Sequence, residues 1–433
     1  MTTRRRTAFA ALAVIVVCGA ALSGFVLSAQ FAARDVVGSA SEEFAEAALP
    51  TLPTLPTPKP GRMRQTTVAW PLWGAGADRV RVSPYPHRPP YRARWSFRAQ
   101  SLVEFAPVIG HGTLYFANND GVLFAVSSRT GKLRWQHESG RVQAAAPALT
   151  GVTVYHSFMY RRAVGKNDPT GAVVALNALT GAVRWRREIA PSESSPLVRG
   201  GAVYLGDWSG RIYALDAHTG RTRWEFRAGG AVKGAVAAAG NRLFVGAYDS
   251  RVYCLDARTG ELLWRASAQE RLGTRGRFYS TPAVAYGRVF LGATDGKVYA
   301  FDAASGELRW SRSTGSYVYG SPAVWEGRVY VGSWDRRFYA LDAATGEVVW
   351  RFDAGGPISG SATVIDGLVY VSTLRGVTVA LDAATGTERW RFEDGAYAGV
   401  VADARKVYVV GTGRVYAFRS IPPATGPRAT PGG

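Results

Sequence analysis

The sequence predicts an all-β fold: a closed, eight-bladed β-propeller of four-stranded antiparallel blades, preceded by one N-terminal transmembrane helix. Three observations carry this. A motif ending in tryptophan recurs along most of the chain, each repeat divides into four short alternating runs, and an uncharged apolar stretch follows the N-terminal arginines.

The N-terminal element comes first. MTTRRR (1–6) precedes TAFAALAVIVVCGAALSGFVLSA (7–29), 23 residues without a charge. That length crosses a bilayer with some tilt. The arginines before it, with no comparable cluster after it, place residues 1–6 in the cytoplasm and the rest outside. Leu27-Ser28-Ala29 is a poor cleavage site, so the run reads as an uncleaved signal anchor. Val17 stands where a lipoprotein would need a small residue before Cys18. Residues 30–92 read as an extracytoplasmic linker, in which LPTLPTLPTPKPGR (49–62) is an extended, semi-rigid stalk. Residues 420–433 read as a disordered tail.

The body, 93–419, is a repeat. FYALDAATGEVVWRF (338–352) is one copy; YALDAHTGRTRW, YCLDARTGELLW, YAFDAASGELRW and VALDAATGTERW are others, and FAVSSRTGKLRW and VALNALTGAVRW are weaker ones. The tryptophans fall at Trp95, Trp135, Trp185, Trp224, Trp264, Trp310, Trp350 and Trp390, spaced 40, 50, 39, 40, 46, 40 and 40 residues apart. Within a unit, SPAVWEG, RVYVGS, RFYALD and VVWRF are separated by turn residues. Period-2 runs bounded by glycine are strands, and four strands in about 40 residues make a propeller blade. RARW at Trp95 has no unit before it, and VYAF (415–418) has no tryptophan strand after it. Joined, they complete an eighth blade and remove the open edge of a linear stack.

The pattern D-A-x-T-G-x-x-x-W resembles the tryptophan-docking repeat of the pyrroloquinoline-quinone (PQQ) propeller superfamily, over about three-quarters of the chain. The resemblance implies that each of the eight tryptophans packs between blades, against the glycine of the next motif. Asp216, Asp256, Asp302, Asp342 and Asp382 are expected to bond their own turns. The superfamily holds quinone-dependent dehydrogenases and non-catalytic scaffolds, such as the BamB-type lipoproteins of outer-membrane barrel assembly. Dehydrogenases of this kind are expected to be longer, and many carry an adjacent Cys pair or a CxxCH motif, neither of which occurs here. Lys166-Asn167-Asp168 is the only candidate calcium cluster. The reading is therefore no enzyme, no catalytic residue and no cofactor, with a PQQ–calcium quinoprotein as the alternative. A third reading is an envelope ligand or glycan-binding sensor.

Composition narrows the rest. Cys18 and Cys254 are too differently placed to pair, and the five histidines show no metal-ligand spacing. The net charge is +20, but only six of 52 basic residues are lysine. An arginine skew of that kind follows codon usage in a GC-rich genome. The basic residues are spread through every blade, so nucleic-acid binding is not expected.

Strands alternate in direction, so the hairpins joining second to third strands and the loops between blades emerge at one end. Both long insertions fall there: HSFMYRRAVGKNDPTG (156–171) and RASAQERLGTRGRFYS (265–280). Arg161, Arg162, Trp208, Tyr248, Arg275, Arg277, Tyr317 and Trp334 form the candidate binding face. Such a face suits an envelope or membrane protein, or an acidic glycan. The expectation is a monomeric propeller on a single-pass anchor at the cell membrane.

Overall fold

The computed structural model describes residues 68–271 and 274–421. The expected anchor (7–29), cytoplasmic N-terminus and stalk lie outside the described residues, as does most of the expected tail. Among the described residues, no helix is long and apolar enough to cross a membrane.

The ring has eight blades, each a four-stranded antiparallel sheet. The sixth shows the plan: Ala323–Trp325, Arg328–Gly332, Arg337–Asp342 and Val348–Asp353, from the channel outward. Its second and third strands are almost wholly buried, while the outer strand alternates exposed and half-buried residues. The chain ends close the ring: Tyr91–Arg98 pairs with Arg414–Ser420 in register from Tyr91↔Ser420 to Arg98↔Arg414.

Every outer strand carries one irregularity. In the sixth blade Ala340 faces Trp350 but Leu341 faces Val348, so Val349 is an extra residue. The same bulge precedes the tryptophan in the other seven blades. A bulge re-aims the next side chain, and here the indole turns to the neighbouring blade. Seven tryptophans make one contact set. Trp310 Nε1 donates to Ala343 O at 3.0 Å, and Trp95, Trp135, Trp185, Trp224, Trp264 and Trp350 donate to the equivalent carbonyls. The turn glycine of the next motif lies under each ring; a Cβ on Gly346 would sit 2.6 Å from Trp310. Trp390 differs. It faces the closing blade, whose two outer strands come from opposite chain ends and have no Thr-Gly turn, and it packs on Tyr91 and Phe418. Asp342 Oδ1 accepts the N–H groups of Ala344 and Thr345, and the four sister aspartates do likewise.

The expected linker 30–92 is corrected from residue 68 onward, because this segment is part of the ring. Val68–Trp70 pairs with Val108–Gly110, the innermost strand of blade 1. The chain then circles the channel as a collar. The carbonyls of Pro71, Ala77, Asp78, Val80 and Arg81 accept the N–H groups of Leu149, Ala238, Val284, Val324 and Val364, at 2.8, 2.7, 2.9, 3.0 and 2.9 Å. Each donor is the middle residue of an innermost strand. The physical reason is that each blade's inner edge presents unpaired backbone groups, which must find partners when buried. Trp70, Leu72 and Trp73 bury their side chains. Arg79, fully buried, donates Nε to Val236 O at 3.0 Å, Nη2 to Ser195 O and Pro196 O at 3.4 and 3.3 Å, and Nη1 to Trp73 O. Ala75, Arg79 and Arg81 have φ of 68°, 62° and 62°, a strained conformation that persists only where surrounding contacts impose it.

Candidate functional site

The collar borders a vestibule of about 380 Å³ at the end of the ring carrying the inter-blade loops. Trp73, on the collar, contributes to its lining, together with the hydroxyls of Ser195, Thr281, Ser321 and Ser361. These hydroxyl oxygens accept backbone N–H groups across blade boundaries: Ser195 from Ala146 (2.9 Å), Thr281 from Ala235 (3.0 Å), Ser321 from Thr281 (2.9 Å) and Ser361 from Ser321 (2.9 Å). Each loop is thereby fixed to its neighbour. Two glycines permit the close approach: a Cβ on Gly320 would lie 2.5 Å from Gly360 O, and one on Gly360 2.3 Å from Tyr397 O.

Aromatic rings make the walls: Phe105, Tyr248, Tyr279, Tyr319, Trp334 and Tyr397. Several touch in sequence. Tyr248–Tyr279, Tyr279–Tyr319 and Tyr319–Trp334 have centroid separations of 6.2, 5.5 and 5.5 Å. Three charged side chains line the same space: Glu104, Glu193 and Lys233. Glu193 accepts Lys233 Nζ and the Tyr279 hydroxyl, each at 2.9 Å. Lys233 Nζ also lies 4.4 Å from the Trp208 ring and 5.3 Å from the Tyr248 ring. Burial, with the nearby charge of Glu193, pushes the Glu104 carboxyl up to about 7 against an opposing hydrogen bond from Asn119. Burial raises the Tyr279 hydroxyl, and Glu193 adds to the effect.

The structure brings part of the candidate face together. Tyr248 and Trp334 line the vestibule, and Tyr317 packs on Tyr319 and Trp334 at 5.6 and 6.1 Å. Trp208 joins through Lys233, and the Arg277 guanidinium lies 5.6 Å from the Tyr248 ring. Arg161, Arg162 and Arg275 do not line the vestibule. Arg161 pairs with Asp168 at 2.8 Å, Arg162 with Asp120 at 3.1 Å and Arg275 with Glu270 at 2.5 Å. The candidate calcium cluster is accounted for by the same loop: the buried Asp168 carboxylate also accepts from Arg161 N and Thr170. Arg161 holds that carboxyl well below the usual range. Among the described residues, no group of three or more His, Cys, Asp or Glu is placed to hold a metal.

Sequence reasoning missed Trp73, Glu104, Glu193, Lys233, Tyr279 and Tyr397. A signal was available for some of them. SSPLV, STPAV and GSPAV recur where each loop enters an innermost strand. Residues just before those strings face the channel mouth, and Glu193 and Tyr279 hold that position.

The chain matches the family described as outer membrane protein assembly factor BamB over residues 92–204, 169–317, 248–360 and 315–426. It is 25% identical over 125 residues to a polyvinylalcohol dehydrogenase of a Pseudomonas species, 28% of this chain and 19% of the relative. It is 28% identical over 109 residues to outer membrane protein assembly factor BamB of Bordetella pertussis, 25% of this chain and 27% of the relative. The matches thus span under a third of either relative. Two solved structures share the fold alone. BamB of Moraxella catarrhalis has a TM-score of 0.64 at 20% identity, covering 76% of this chain and 99% of its own. A europium-containing methanol dehydrogenase has 0.69 at 14%, covering 81% and 98%.

Proposed function

The chain belongs to the PQQ-repeat propeller family described as outer membrane protein assembly factor BamB, and from that premise we propose that it is a non-catalytic interaction module of the cell envelope. In this reading residues 7–29 anchor it to the cell membrane, and the vestibule end of the ring docks an envelope or membrane protein. The observation that carries the reading is the concentration of rings at that end: Tyr248, Tyr279, Tyr317, Tyr319 and Trp334 form one connected rim around a pre-formed cavity. Aromatic side chains held rigidly around a depression are the usual energetic centres of protein interfaces. The test is crosslinking in intact cells, comparing the native chain with Tyr317→Ala/Trp334→Ala. Loss of the captured partner supports docking at this end; an unchanged partner set overturns it.

The dehydrogenase relative favours a second reading, in which a quinone and calcium occupy the vestibule. The lining residues do not fit that pair. Their only carboxylates are Glu104 and Glu193, and Glu193 is already engaged by Lys233 and Tyr279. Stoichiometric binding in a PQQ titration with calcium, accompanied by alcohol oxidation, would establish the catalytic reading instead.

A further inference from the structure

We infer that the vestibule is a receptor for one organic cation, an alkylammonium or guanidinium group, with Glu104 as its counter-charge and the lining rings as its walls. The structure already performs this chemistry once within itself. Lys233 is held by the Glu193 carboxylate and by the Trp208 and Tyr248 rings. A carboxylate for charge and aromatic faces for the cation are the two elements of an ammonium site. The second carboxylate, Glu104, lines the same cavity as the rings, and among the described residues no basic group pairs with it. Among the charged and polar groups that act on Glu104, Glu193 opposes its ionisation and Asn119 supplies a hydrogen bond. Lys233 is committed to Glu193. Arg81 is not among the lining residues, its guanidinium lying 4.0 Å from the Trp73 ring, and Arg79 is committed to four carbonyls.

A desolvated carboxylate without a cation binds a proton instead. Glu104, pushed up to about 7, therefore takes up a proton as pH falls through neutrality, and an incoming cation displaces that proton into solvent. Free vestibule space of about 380 Å³ accommodates a lysine- or arginine-sized group and excludes a folded domain. The cation can be a small free amine or a basic side chain on a polypeptide. The inference leans on the docking reading only for the polypeptide source.

The experiment is calorimetric titration of the full chain in lipid nanodiscs, in two buffers of different ionisation enthalpy, with intrinsic tryptophan fluorescence alongside. The probes are butylammonium, blocked N-acetylarginine amide and an Ala-Arg-Ala peptide blocked at both ends. The expected result is binding with proton release, Kd constant above about pH 7 and weakening toward about tenfold per pH unit below it. Glu104→Gln is expected to weaken binding at least about tenfold and to remove the pH dependence. Tyr319→Leu is expected to weaken binding while leaving the pH dependence in place. A clear preference for the peptide identifies a polypeptide source; equal binding of all three identifies a free amine. No binding of any probe, pH-independent binding, or undiminished binding by the properly folded Glu104→Gln chain overturns the inference. Should cation binding fail while the rim still crosslinks a partner, docking stands without this receptor; the reverse pattern sinks docking and leaves the receptor.

Discussion

The N–H of Ala238, on the innermost strand of the fourth blade, is bonded to the carbonyl of Ala77 at 2.7 Å. That bond makes the segment from residue 68 onward a structural part of the channel. The same collar supplies Trp73 to the vestibule lining, so the collar and the cavity share a wall.

Arg79 is the clasp of the collar. Its removal leaves the carbonyls of Trp73, Val236, Ser195 and Pro196 without their donor in a buried site. Each buried group left unsatisfied costs about 1–3 kcal/mol. Arg79→Ala is expected to destabilise the fold by at least ~3 kcal/mol, and Arg79→Lys to restore only part, since an ammonium cannot reach acceptors in a fork. Urea unfolding checks both; midpoints equal to the native chain would remove the clasp role.

Gly346 tests the docking of blades. A methyl there meets the Trp310 ring at 2.6 Å, in a turn with φ of 73°. Gly355 has the same φ of 73° with nothing within 4 Å. Both alanine substitutions carry the left-handed backbone penalty of about 1–2 kcal/mol. Gly346→Ala is expected to cost a further ~1–3 kcal/mol from overpacking. Thermal unfolding of the pair measures the difference; equal melting temperatures would mean that ring contact contributes nothing.

The ring itself was legible in the sequence because its cause is local and repeated. Each D-A-x-T-G-x-x-x-W string holds its turn acid, its glycine and its indole, and the two orphan strands at Trp95 and Phe418 require closure. The bulge before each tryptophan was not legible, since nothing in VVW marks Val349 as extra. The collar was missed because it has no period: its bonds run through backbone carbonyls, which any residue supplies. The vestibule was half legible. Tyr248, Tyr317 and Trp334 stood out as aromatics on short loops, whereas Glu104, Glu193 and Tyr279 converge only once the blades close around the channel. Arg161, Arg162 and Arg275 drew notice as charges in long insertions, and the acids that bind them came from Asp168, Asp120 and Glu270 in the same or adjacent loops.

Stability is expected to depend on pH through Glu104. Its folded-state value of about 7 lies above the ordinary 4.5, so the folded chain holds the proton more tightly than the unfolded chain. The associated stability is present in full below about pH 4.5 and is lost as pH rises through about 7. Glu104→Gln is expected to melt higher than the native chain at pH 8, with the gap closing toward pH 5. Calorimetric scans across that range check the sign; a gap that widens toward acid would show Glu104 to be paired as a carboxylate.

The central claim, that the molecule works by docking at its vestibule end, is tested most directly by site-specific photocrosslinking in living cells. One photoreactive residue is placed at a time at Tyr317 or Trp334, on the vestibule rim, and at His218 or Glu261, in the turns at the opposite end. The expected result is discrete adducts from Tyr317 and Trp334 and none from His218 or Glu261. Adducts confined to His218 and Glu261, or equal at both ends, would contradict it.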